Sequence, residues 1–224
     1  MNQYLRSLNA TEQVGALFLF VFGCLFVVSV VLQLRSLREQ SPDSAGDARR
    51  QTLAHAKSLL RSSWFLVLVF WVGWLSGDLG AILLFALVSF FALREFMTLS
   101  PTRRGDHRSL VLAFFVILPL QYTLVGTRHF DLFAVFIPVY VFLAIPVVSA
   151  LANDPQRFLE RNAKLQWGIM VCVFGMSHVP ALLLLDFPEY RDRGAFLVFF
   201  LVIVVQTGML VQHVAARRLH RAPT

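Results

Sequence analysis

Between Val14 and Leu34 the chain carries no charged side chain. That run meets the ~20 apolar residues an α-helix needs to cross a hydrocarbon core. Further apolar runs follow at Trp64–Ser76, Leu79–Leu93, Ser109–Gly126, Leu132–Leu151, Trp167–Leu185 and Ala195–Val214. With 57% hydrophobic residues and 22 phenylalanines, polar surface would not suffice to cover a water-soluble domain of this size. The chain is expected to be an all-α polytopic integral membrane helix bundle, a single membrane domain over residues 1–224.

The run Ala81–Leu93 stops abruptly at Arg94-Glu95, and Ser100-Pro101-Thr102-Arg103-Arg104-Gly105-Asp106-His107-Arg108 precedes the next. A short loop this rich in arginine resists translocation and fixes the orientation of its neighbours. Trp64–Leu93 reads as two short crossings or as one long tilted one, and charge counting decides. With two crossings, 16 Lys and Arg fall on the cytoplasmic side and 4 outside; with one, the division is 9 against 11 and the bias vanishes. Two crossings give about seven transmembrane helices, N-terminus out and C-terminus in. The net charge of +7 therefore reflects topology and anionic headgroups, not nucleic acid.

Met1 to Glu12 is too polar to begin a signal peptide, so the first span is expected to remain as an anchor. Residues 35–63 read as a cytoplasmic loop with a turn at Ser41–Asp47. After it, Leu53, Ala56, Leu59 and Leu60 share a face over Arg49–Arg61, either on the membrane surface or in solvent. Pro119, Pro138 and Pro146 interrupt spans as kinks; such prolines line cavities about as often as they merely pack. Asn153-Asp154-Pro155 reads as a helix start. After it Phe158, Leu159 and Leu165 should face lipid, and Arg157, Glu160, Arg161 and Lys164 water. His178 has no carboxylate or second histidine near it in sequence, which favours a packed histidine over a proton carrier. Cys24 and Cys172 lie within apolar runs and suggest neither a disulfide nor a metal site.

No phosphate-cradling glycine loop, metal-spaced His/Cys cluster or Gly-x-Ser-x-Gly elbow occurs. No carboxylate lies deep in a span. Glu95, at the cytoplasmic mouth of the third span, is the best-placed acid and Asp106 the second. Glu95 equally suits a headgroup-level pairing with Arg94 or Arg103. The residues alone suggest no metal site.

The run Phe90-Phe91-Ala92-Leu93-Arg94-Glu95-Phe96, with Pro101–Arg108 after it, resembles the bacterial phosphatidate cytidylyltransferases. So do Ile117–Tyr122, Phe158-Leu159-Glu160-Arg161, Gln166–Val173 and Ser177–Asp186. The resemblance implies a bacterial inner-membrane enzyme joining phosphatidate to CTP, with membrane lipids as surroundings, Mg²⁺ held by acidic residues, and room for a homodimer. It matches Glu95 to the family's glutamate, leaves Arg103, Arg104 and Arg108 for the headgroup phosphate, and compares Val204-Val205-Gln206-Thr207-Gly208-Met209-Leu210-Val211-Gln212-His213 with a Val-Val-Gln-x-Ser-Asp-x-x-Gln-Tyr segment. Gln206 and Gln212 fit. Gly208 stands for the serine and Met209 for the metal-binding aspartate, and a thioether is a poor ligand for Mg²⁺. The family's lysine-rich loop and Asp-Arg-x-Asp signature have no counterpart here, so the expectation is the front two-thirds of such an enzyme, truncated or frameshifted and inactive alone; the alternative is a non-catalytic lipid-binding or partner protein.

Overall fold

The computed structural model describes residues 10–38, 45–100, 104–151, 154–185 and 194–219. Residues 41–44 of the expected turn at Ser41–Asp47, Asn153 and residues 186–193 lie outside them, and residues 45–47 of that turn are helical. Every described element is helical: α1 (Ala10–Arg38), α2 (Ala45–Leu75), α3 (Gly77–Thr98), α4 (His107–Gly126), α5 (Phe130–Ala150), α6 (Phe158–Leu184) and α7 (Gly194–Leu219). The first six contain stretches long and apolar enough to cross a membrane, whereas the apolar part of α7, Gly194–Met209, is shorter.

Residues 45–75 form one helix, so the amphipathic stretch Arg49–Arg61 runs unbroken into the apolar part beyond it. The next boundary is sharp. Gly77 adopts φ +68, a left-handed conformation that costs a residue with a Cβ about 1–2 kcal/mol. A Cβ on Gly73 would lie 3.3 Å from the ring of Phe85. In one continuous helix those two residues would stand ~18 Å apart along the axis, so the chain reverses here and α2 and α3 are separate helices.

The chain divides into two compact units, residues 1–72 with 190–224 and residues 73–189. In the first, α1, most of α2 and α7 meet through Phe18, Phe70 and Phe199, whose ring centroids lie 4.7–5.2 Å apart. The second is built on α3. Ala81, Phe85, Ser89, Leu93 and Met97, four residues apart, are buried, while Leu79, Leu83, Leu87 and Phe91 are exposed. A helix apolar on all sides thus has one stripe for its neighbours and one for lipid. The inward stripe packs on α4 and α6.

Two of the three expected proline kinks, at Pro119 and Pro138, take the form of widened turns, while Pro146 lies within the regular α-helical stretch Phe142–Ala150. α4, α5 and α6 contain π-helical stretches at Ala113–Ile117, Phe136–Val141 and Met170–Gly175, which precede Pro119, contain Pro138 and precede Pro180. A proline lacks the donor for the carbonyl four residues back and crowds it; a wider turn relieves both.

Two expectations for α6 are overturned. The helix starts at Phe158, not at Pro155, after Arg157 in a left-handed conformation at φ 50. Arg161 and Leu165, assigned to water and lipid respectively, are both buried, at 8% and 6% exposure. They lie four residues apart on the stripe that continues through Ile169 and Val173, so packing decides their common direction.

Candidate functional site

Arg161 organises one end of the second unit. Its position on the inward stripe of α6 carries the guanidinium to the end of α3 and to the loops before α4 and α6. Nη1 donates to Asp154 Oδ2 at 2.6 Å and Nη2 to the Asp154 carbonyl at 3.0 Å. Nε lies 3.0 Å from Asp106 Oδ1, close enough for an ion pair but without hydrogen-bond alignment. Asp154 is prepared for this role locally, since its Oδ1 also accepts the Gln156 N–H at 3.2 Å and tightens the loop. Asp106 ends the 3₁₀ turn Arg104–Asp106 and makes no side-chain capping bond to the helix that follows.

The fork of the guanidinium suits this task, because its planar set of donors reaches two acceptors from one buried position. Burying Arg161 and Asp106 and half-burying Asp154 costs desolvation, so the cluster serves placement more than net stability. It pins the loop after α3 to the loop after α5. Beside it a cavity of about 20 Å³ is lined by Met97, Ser109, Ser149 and Asn162, room for about one water. The hydroxyl of Ser109, a residue 1% exposed, points to no hydrogen-bond partner among the described residues. At the rim Lys164 Nζ donates to Glu160 Oε1 at 2.6 Å.

Asp106, the second-choice acid, thus lies in the cluster, while Glu95, the first choice, does not. Glu95 is exposed near the end of α3 and makes no ion pair among the described residues. Arg103 lies outside the described residues, as does the side chain of Arg104; Arg108 is exposed in the first turn of α4. The two glutamines belong to the other unit. Gln206 Oε1 accepts from Ser63 Oγ at 3.4 Å and borders a groove of about 320 Å³ walled by Val67, Phe70 and Phe199. Gln212 and Met209 are exposed. His178 is a packed residue: Nδ1 lies 2.7 Å from the Phe174 carbonyl, and its ring meets Phe133 and Phe174 at 4.9 and 4.6 Å.

The resemblance implies Mg²⁺, which needs oxygen ligands in near-octahedral array. Among the described residues no three of His, Cys, Asp and Glu gather in one place. The two carboxylates that do converge are turned on Arg161, whose positive charge stands between them. This donor set fits a guanidinium and does not fit Mg²⁺.

Sequence reasoning missed Arg161, Asp154, Ser149 and Asn162. A signal was present: Arg161, Leu165 and Ile169 share one helical stripe, and a charge on an otherwise apolar stripe asks for a buried partner.

Comparison with known proteins places these observations. An uncharacterized protein of Escherichia coli (strain K12), YnbB, is 36% identical over 129 residues, which cover 58% of this chain and 41% of the relative; the chain thus spans less than half of that protein's length. No solved structure gives a significant match. A sequence model described as the cytidylyltransferase family matches residues 57–215, from within α2 to within α7. That match covers well over half of the chain and includes the segments that resembled the phosphatidate cytidylyltransferases, so the protein belongs to the cytidylyltransferase family.

Proposed function

We propose that this chain is a bacterial inner-membrane member of the family that binds phosphatidate and serves CDP-diacylglycerol formation, but does not complete the reaction by itself. In that reaction a phosphatidate oxygen attacks the α-phosphorus of CTP, a new P–O–P link forms, and pyrophosphate leaves. The observation that carries the reading is the family match over residues 57–215. In this reading α7 makes a seventh crossing, the N-terminus is outside, and the Arg161 end faces the cytoplasm. Arg103, Arg104 and Arg108 beside that end supply positive charge for the lipid phosphate.

The second half of the proposal rests on carboxylates. Met209 stands where the family's segment has a metal-binding aspartate, and Asp106 and Asp154 are occupied by Arg161. In this reading the carboxylates of the described residues do not hold Mg²⁺ by themselves, and further acidic ligands are needed.

The test is an assay of the purified chain in vesicles with CTP, phosphatidate and Mg²⁺, paired with thermal denaturation. Stabilisation by phosphatidate without nucleotide transfer is expected. Robust transfer by the isolated chain would overturn the incomplete-site reading, and the absence of any phosphatidate effect would overturn the lipid-binding one. Thermal denaturation also addresses the alternative of a non-catalytic partner protein, since CTP then has no effect with or without Mg²⁺.

A further inference from the structure

At the other end of the second unit, α3 and α4 border a groove of about 670 Å³, within the ~300–1,000 Å³ common for small-molecule sites. Ile82 and Ala86 of α3 and Leu118 and Pro119 of α4 contribute its apolar walls. Its mouth is charged. Asp78 stands in the first turn of α3, and Arg128, in a left-handed conformation at φ 58, sits in the turn after α4.

Asp78 and Arg128 touch through one contact, Nη2 to Oδ2 at 3.5 Å, and their side chains are 68% and 52% exposed. An open pair joined by one long contact contributes little stability. A carboxylate accepts up to about four hydrogen bonds and a guanidinium donates five, so both groups retain capacity toward a third party.

The place matters as much as the charges. Helix α3 is 22 residues long, about 33 Å at 1.5 Å per residue. Its far end, at Met97, packs beside the Arg161 cluster. The groove mouth therefore belongs to the opposite membrane face, and a ligand there does not occupy the site discussed above.

We infer that this groove binds one phospholipid with a primary-ammonium zwitterionic headgroup, an acyl chain along the apolar walls and the headgroup across Asp78 and Arg128. The lipid phosphate takes the guanidinium in fork geometry, and the ammonium donates to the carboxylate. An anionic headgroup would satisfy Arg128 but set a second negative charge against Asp78. A trimethylammonium headgroup has no N–H to donate. A helix from a second copy could fill the apolar walls but has no reason to answer two opposite charges at the mouth.

The test is native mass spectrometry of the full chain released from vesicles with equal parts phosphatidylethanolamine, phosphatidylcholine and phosphatidylglycerol. One retained phosphatidylethanolamine per chain is expected, favoured about three- to tenfold, as two partly exposed charge contacts allow. Asp78→Asn should erase the preference while lipid is still retained, whereas Arg128→Gln, which removes the contact to the phosphate that all three lipids share, should lower retention of all three and leave phosphatidylethanolamine the favoured one. Ala86→Phe, which fills the groove, should lower retention of all three lipids. Equal retention of the three headgroups, meaning surrounding lipid only, would overturn the inference. So would a dimer of the chain that Ala86→Phe dissolves. The wild-type competition needs no variant, so a variant that fails to fold does not shield the inference from rejection.

Discussion

Arg161 carries most of what is unusual about this chain at the level of single residues. The residue is 8% exposed, and its guanidinium bridges Asp106 to Asp154. Removing one member of a buried ionic cluster leaves its partners uncompensated, which costs about 3–5 kcal/mol. Arg161→Met, of similar length but uncharged, should lower stability by that order in a reversible unfolding measurement in detergent. A loss below about 1 kcal/mol would mean that water reaches both carboxylates and that the cluster is not the clamp its geometry suggests. Charge and spacing identified Asp106 as a candidate before any fold was known. They could not identify Asp154 as its companion, because the two acids are far apart in sequence and meet only through a residue on a third element.

Among the elements, α3 and α6 pack closely. A Cβ on Gly168 would come within 2.6–2.8 Å of the Met97 end methyl and the Phe96 ring, so a larger residue must displace both, and glycine serves the close approach as small residues do at membrane helix interfaces. Gly168→Leu should force the helices apart and cost about 1–3 kcal/mol or more, whereas Leu87→Ala on the exposed stripe of α3 should change stability by about 0.5 kcal/mol or less. Equal losses from the two would contradict the assignment of inward and lipid-facing stripes. The sequence showed that α3 carries no charge from Leu79 to Leu93, and that uniformity concealed its inward direction. In water the polar face marks the outside; in lipid both faces are apolar, and only neighbouring helices distinguish them.

On the scale of the molecule, the second unit constrains its own topology. Arg161 ties the loop after α3 to the loop after α5, and Arg128 meets Asp78 between the turn after α4 and the start of α3. Helices α3 to α6 therefore run alternately up and down. The proposed orientation predicts that a cysteine at Ser100 is labelled by impermeant reagents only from the cytoplasmic side, and one at Thr127 only from outside; the reverse pattern would invert the proposed topology. The sequence by itself determined that the chain is a stack of apolar helices divided by basic turns, because a lipid core admits apolar helical segments and short arginine-rich loops resist crossing. It also carried the family, since the matching motifs lie in the order of the chain. Tertiary structure alone decided that the polar stretch before α2's apolar part continues the same helix, that Arg161 faces inward, and that the two acids it holds are joined to each other through it. Those outcomes depend on which helices become neighbours, and no periodicity within a single helix specifies a neighbour.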